Sequence, residues 1–74
     1  MLDVPNLDGM YQDEIRAFAK TLTGRSVVQK TLRFYCEMKD AAIEFRLAGK
    51  IQEAQKYEGH CEAAYRQLPS KARW

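Results

Sequence analysis

The fold is decided by residues 26–69, which read SVVQKTLRFYCEMKDAAIEFRLAGKIQEAQKYEGHCEAAYRQLP. The first four residues have the pattern of a capping box, in which the Ser26 hydroxyl accepts from the Gln29 N–H and the Gln29 side chain returns the bond. No proline interrupts the residues that follow. Gly49 can adopt the left-handed conformation that closes a helix. The pattern therefore predicts one long helix over residues 27–48.

A further helix is predicted after Gly49, over residues 51–68. Pro69 ends it, because proline disfavours helical conformation in the residue before it. One apolar stripe runs along this helix: Ala54, Tyr57, Cys61, Ala64 and Leu68. The two helices are therefore expected to form an antiparallel hairpin that turns at Gly49.

The helix over residues 27–48 has an apolar arc of roughly half its circumference, wider than a helix with a single neighbour needs. Two rows form the arc, with Val28 and Tyr35 between them: Val27, Phe34, Met38, Ala42 and Phe45 in one, and Leu32, Cys36, Ile43 and Leu47 in the other. Two packing partners are expected, and either a three-helix bundle or a homodimer supplies them.

The remaining helix is predicted over residues 9–23. Its apolar residues recur at helical spacing: Tyr11, Ile15, Phe18 and Leu22. Asn6 and Asp8 both have side chains suited to an N-cap, and Gly24 closes the helix. The short connection to Ser26 favours antiparallel neighbours.

Two short segments flank the helices, an extended lead over residues 1–8 and a tail over residues 69–74. Three apolar lead residues either lie against the bundle or belong to a frayed terminus: Leu2, Val4 and Leu7. Trp74, which follows Arg73, either packs against one end of the bundle or stays exposed for a partner, since tryptophan and arginine are enriched at interface hot spots. The pattern of the whole chain predicts one all-α domain, a small antiparallel three-helix bundle with a long central helix.

Composition points to a globular protein in the cytoplasm. Of the 74 residues, 46% are hydrophobic and 30% charged, as in ordinary globular domains. No apolar run approaches the roughly 20 residues of a spanning helix, and the first residues lack the basic and apolar regions of a secretory signal. We therefore expect no membrane segment.

The chain offers little for metal binding or catalysis. Cys36 and Cys61 should face each other across the hairpin, either as buried free thiols or as a disulfide, which needs Cα atoms within about 7 Å. His60 projects roughly 100° away from Cys61 on the same helix, so no zinc site with four converging ligands is expected. No nucleophile with a base and an orienting group is present. We expect no enzyme activity, metal or cofactor.

Charged residues inside the apolar surfaces allow three interpretations. Lys39 and Arg46 interrupt the arc of the long helix, and Glu58 lies in the apolar edge of the next one. Their stems could lie along apolar surface with the charged groups in water, Glu58 could form an ion pair with either cation, or the strip could be uncovered and face a partner. The third interpretation gives the candidate partner-binding residues: Val28, Tyr35, Lys39, Arg46, Arg73 and Trp74.

A nucleic-acid-binding bundle is the alternative. Six basic residues could gather near the turn between the first two helices: Lys20, Arg25, Lys30, Arg33, Lys71 and Arg73. However, Glu37, Asp40 and Glu44 share the face of Arg33, and the net charge is only +2. Phosphate contacts require a positive potential, so this arrangement argues against nucleic acid.

Residues 48–54, with Tyr57 and Pro69, resemble the hairpin of a tetratricopeptide repeat, although the distance from Gly49 to Pro69 is about one turn longer than in that repeat. The hairpin also resembles the last one of microtubule-interacting-and-trafficking domains. Each resemblance covers less than half of the chain and implies peptide or protein binding. The expected function is therefore a non-catalytic protein–protein interaction module, such as a small adaptor, accessory or inhibitor protein, that binds another protein or a second copy of itself.

Overall fold

The computed structural model describes residues 4–74, and in this range it contains helices and no strands. The elements are a 3-10 turn at Leu7–Gly9, helix α1 at Gln12–Thr21, helix α2 at Val27–Leu47, helix α3 at Ile51–Gln67 and a 3-10 turn at Ser70–Ala72. Helix α2 is central and packs against both α1 and α3. The prediction of an all-α bundle with a long central helix is confirmed.

The hairpin turns at Gly49, where φ is +77°. The Gly49 N–H donates to the Arg46 carbonyl at 3.1 Å, and the Lys50 N–H donates to the Phe45 carbonyl at 2.8 Å. This pair of bonds is the Schellman motif, which satisfies carbonyls that the end of α2 would otherwise leave without donors. The left-handed residue in this motif is the reason why glycine stands here.

The start of α2 follows only half of the predicted capping box. The Ser26 Oγ accepts from the Gln29 N–H at 3.2 Å. The Gln29 Oε1, however, accepts from the N–H groups of Thr23 and Gly24, both at 3.0 Å, and from the Thr23 hydroxyl. The Gln29 side chain therefore binds the loop between α1 and α2 and not the backbone N–H of the N-cap residue Ser26.

Helix α1 is shorter than the predicted span of 9–23. Its N-cap is Tyr11, whose N–H donates to the Glu14 Oε1 at 3.1 Å. Asn6 instead caps the preceding 3-10 turn by accepting from the Asp8 N–H. The expectation that Asn6 or Asp8 caps this helix is therefore wrong, because Asn6 caps the 3-10 turn and the Asp8 carboxylate accepts from Tyr35 and Trp74.

Polar side chains tie α1 to α2. The Arg16 Nε lies 3.0 Å from the Asp40 Oδ2, and the Gln12 Nε2 donates to the Asp40 Oδ1 at 2.6 Å. Partial burial works to raise the pKa of Asp40, but the hydrogen bonds from Arg16 and Gln12 outweigh it and leave that pKa lowered. Asp40 is therefore charged at neutral pH and holds α1 in place.

The core lies between the three helices, the lead and the tail. Its largest fully enclosed side chains come from the lead, α1, α2 and the C-cap of α3: Leu7, Ile15, Leu32, Cys36 and Leu68. Val4 and Trp74 pack against this core, so the described part of the lead lies on the bundle. Leu2, the remaining apolar residue of the predicted lead, is outside the described residues.

No helix within residues 4–74 combines the length and the apolar character needed to cross a membrane.

Candidate functional site

Asp8 joins the lead, α2 and the tail on one side of the hairpin. The Tyr35 hydroxyl donates to its Oδ1 at 2.5 Å, and the Trp74 indole N–H donates to its Oδ2 at 3.1 Å. The Lys39 Nζ lies 3.8 Å from the Oδ1. Three of the six residues predicted to bind a partner therefore converge on one carboxylate of their own chain.

The protonation of this cluster is well defined at neutral pH. The Tyr35 hydrogen bond is the largest influence on Asp8 and lowers its pKa, helped by Trp74 and Lys39 against a smaller opposing effect of burial. Burial raises the pKa of Tyr35, and the adjacent Asp8 carboxylate raises it further. Asp8 is therefore an anion that accepts bonds from a neutral phenol and a neutral indole.

The tail folds back onto α3. The Trp74 ring meets the Tyr35 and Tyr65 rings edge to face, with both centroid distances at 4.7 Å. The Arg73 guanidinium donates to the carbonyls of Leu68 and Arg66, both at 2.9 Å, and lies 5.5 Å from the centre of the Tyr65 ring. Of the two alternatives for Trp74, the structure shows the packed one.

Arg46 forms the internal ion pair that was one of the three interpretations. Its Nη2 lies 2.8 Å from the Glu58 Oε1, and its Nε donates to the Glu58 Oε2 at 3.1 Å. The pair is bidentate and joins α2 to α3, although both side chains are nearly half exposed. Val28 is half-buried and packs against the core.

A cleft of about 230 Å³ lies between α2 and α3 on this side. Its lining includes three carboxylates, and each has a cationic neighbour within the chain: Asp8 with Lys39, Glu58 with Arg46, and Glu62 with Arg66. The charges of the cleft are therefore already compensated. The predicted partner-binding residues lie on a surface that the chain uses for its own packing.

The two cysteines are free thiols on facing sides of α2 and α3. Cys36 and Cys61 are both buried, and the Cys61 Sγ donates to the Tyr35 carbonyl at 3.7 Å. Burial raises the pKa of each thiol to about 11.

His60 is exposed and contacts aromatic rings, and within residues 4–74 no group of three or more metal-ligating side chains is close enough to hold an ion.

The opposite side of the hairpin carries exposed apolar side chains. Val27 is 79% exposed and Phe34 is 43% exposed. They flank a groove of about 410 Å³ that α2 and α3 form together, lined by Val27, Lys30, Thr31, Phe34, His60, Ala63, Ala64 and Gln67. Contiguous exposed apolar patches on monomeric proteins often mark binding surfaces, whereas single exposed apolar residues are ordinary.

Aromatic contacts extend this surface towards the turn. Phe34 and His60 meet edge to face at 6.5 Å between ring centroids, and His60 meets Tyr57 at 6.0 Å. Tyr57 stacks on Phe45 at 5.3 Å. We call this surface the hairpin face and define it by six residues from two helices: Val27, Phe34, Phe45, Tyr57, His60 and Ala63.

Sequence reasoning assigned Val27 and Phe34 to an apolar row expected to pack. The structure leaves both exposed, because α1 lies against the side of α2 that carries Cys36 and Asp40, while the lead and tail cover Tyr35. The width of the apolar arc predicted two packing partners for α2, and α2 does pack against both α1 and α3. The pattern could not show which part of the arc would remain open.

The basic residues of the alternative function do not form one free patch. Arg73 is bound to backbone carbonyls, and the Arg33 side chain lies close to Gly24. Lys30 is exposed, but so is Glu37, two helical turns further along the same side of α2. The surface near the α1–α2 turn is therefore of mixed charge.

Comparison with known proteins found no matching family model, no matching curated protein and no matching solved structure.

Proposed function

We propose that the protein is a non-catalytic protein–protein interaction module that binds another protein chain through the hairpin face. The observation that carries the proposal is the exposure of Val27 and Phe34 beside a groove built by two helices. An aromatic surface with a groove between helices is the form of many helix-binding sites. The two free, buried cysteines suit a reducing compartment, so the proposal places the protein in the cytoplasm.

The residues that the sequence predicted to bind a partner are not the main binding surface in this proposal. Tyr35 is 3% exposed and bound to Asp8, so it contributes to the fold before it can contribute to a partner. Lys39, Arg46 and Trp74 keep some exposure and could border a second contact. The hairpin face has the larger groove and the more exposed apolar side chains.

Site-specific photo-crosslinking tests the proposal. A benzophenone amino acid is placed at Phe34, and in a matched variant at Ala17, which is exposed on α1 outside the hairpin face. Irradiation of cells that carry the gene should give discrete protein adducts from position 34 and none from position 17. Absence of any adduct at position 34, whether with another protein or with a second copy, would overturn the function.

Nucleic-acid binding is the competing class. A nucleic-acid binder should retain labelled oligonucleotides at low salt and lose them steeply as salt rises, and Arg25→Ala with Lys30→Ala should abolish that retention. Binding through the hairpin face should instead persist as salt rises, because apolar burial is not screened by ions.

A further inference from the structure

The exposed edge of α2 has a charge pattern that is complementary to itself. Phe34 is its centre, with Lys30 four residues before it and Glu37 three residues after it. Val27 precedes Phe34 by seven residues and Ala41 follows it by seven. At 3.6 residues per turn these five side chains lie along one strip of the helix, in the order apolar, basic, apolar, acidic, apolar.

Within the part of the chain that the structure describes, neither charge of this strip has an ion-pair partner. Ion pairs in residues 4–74 involve other acids and bases, and neither Lys30 nor Glu37 takes part in one. Their separation along the helix axis is about 10 Å, too far for them to pair with each other. Both are exposed and border the apolar strip.

A second copy of α2 can be placed antiparallel over this strip, with the two Phe34 residues at the centre. Each Val27 then lies level with the other copy's Ala41, and each Lys30 lies one residue, about 1.5 Å along the axis, from the level of the other copy's Glu37, within reach of a lysine side chain. Such an isologous contact makes every pairing twice, as a two-fold axis requires. A parallel copy would instead bring like charges together.

The α3 side of the groove permits this approach. Where α2 and α3 flank Phe34, α3 presents Ala63 and Ala64, whose short side chains leave room for an incoming aromatic ring. Two hairpins packed by this face form a four-helix arrangement, a common way to bury apolar surface that a helical hairpin leaves exposed.

We infer that the partner of the hairpin face is a second copy of this chain, joined as an antiparallel two-fold dimer with Phe34 at its centre and reciprocal Lys30–Glu37 pairs at its edges. The inference rests on the proposed function and names its partner. It also explains why α2 has an apolar arc wider than the packing within one chain covers.

Sedimentation equilibrium of the purified full chain, with reductant present, tests the inference by comparing wild type with variants in which the charges of Lys30 and Glu37 are reversed. Wild type should form dimers as concentration rises. Lys30→Glu and Glu37→Lys should each weaken the dimer by about tenfold or more, since each replaces two opposite-charge contacts with two like-charge contacts. The double variant Lys30→Glu/Glu37→Lys should recover to within about threefold of wild type, because the pairs are restored in reverse.

Circular dichroism of each variant at low concentration checks that the helices are intact. Phe34→Ser, at a partly exposed position, should remain folded and monomeric. The inference is overturned if wild type stays monomeric at the highest concentration reached, or if the double variant is as weak as the single ones. A monomer that still crosslinks to a different protein at position 34 would refute the second copy and leave the interaction function standing.

Discussion

At the scale of single residues, the Asp8 carboxylate determines where the lead and the tail lie. Hydrogen bonds to a charged group contribute more than neutral ones, about 1.5–3 kcal/mol each, and Asp8 accepts two from side chains of α2 and the tail. The sequence offered Asp8 only as a helix cap. Nothing near it in the chain indicated that its partners are Tyr35 and Trp74.

Asp8→Asn should lower the free energy of unfolding by about 1 kcal/mol at pH 7, because a neutral amide is a weaker acceptor than a carboxylate and water screens the Asp8 side chain, which is 63% exposed. The pKa of Asp8 is lowered in the fold, so the stabilisation is complete above the unfolded value near 3.9 and is lost as pH falls through the folded value. Urea unfolding at pH 7 and pH 3, at one protein concentration, measures this difference.

The difference between wild type and Asp8→Asn should therefore shrink at pH 3. Glu53→Gln, an exposed carboxylate on α3, serves as the control and should behave like wild type within about 0.5 kcal/mol at both pH values. An Asp8→Asn effect that is equally large in acid would contradict the role of the charged carboxylate.

Cys36 and Cys61 should be nearly unreactive in the folded protein. Reaction requires the thiolate, and burial raises the pKa of both thiols to about 11. At pH 7.5 a disulfide reagent such as Ellman's reagent should label them about a hundredfold more slowly than in urea. Rapid labelling of either cysteine in the native protein would show that the core between α2 and α3 opens readily.

At the scale of elements, the ends of the helices are the features that the sequence predicts best. The Ser26 cap, the left-handed Gly49 and Pro69 each act on backbone groups only a few residues away, so their effect could be predicted from sequence. The first helix was predicted less well, because the residues expected to cap it, Asn6 and Asp8, have partners in the lead, in α2 and in the tail. Local patterns cannot indicate such competition.

Gly49 and Gly59 form a matched pair for testing the turn. Gly49→Ala should destabilise the protein by about 1 kcal/mol, because alanine is strained at a φ of +77° even where its methyl group meets nothing. Gly59 lies inside α3 with open space beside it, so Gly59→Ala should stabilise by about 0.5–1 kcal/mol. Thermal unfolding of both variants measures the contrast, and shifts of the same sign would be inconsistent with the proposed role of the turn.

At the scale of the whole molecule, the three helices are unequally supported. Helix α3 packs along α2 and is held by the tail, whereas α1 packs chiefly on α2 and is held there by exposed polar groups around Asp40. Regions with fewer buried contacts open with a lower free energy. We therefore expect α1 to open before the hairpin does.

Hydrogen exchange measured by mass spectrometry should show this order. Amides of α1 should exchange at least about tenfold faster than those of residues 32–42 in α2. Arg16→Ala, which removes the ion pair to Asp40, should increase the exchange of α1 while leaving α3 unchanged. Equal protection in all three helices would mean that the molecule opens as a single unit.

Three helices, the longest of them central, and a hairpin that turns at Gly49 could all be predicted from the amino-acid sequence. These features depend on caps, breakers and apolar spacing, which act over a few residues. Which part of the α2 arc is covered could not be predicted in this way, because it depends on how distant segments pack. That outcome depends on contacts such as the bond between Trp74 and Asp8, which are 66 positions apart. Because these contacts occupy Tyr35 and leave Phe34 exposed, the candidate surface lies on the side of α2 that sequence reasoning had assigned to packing.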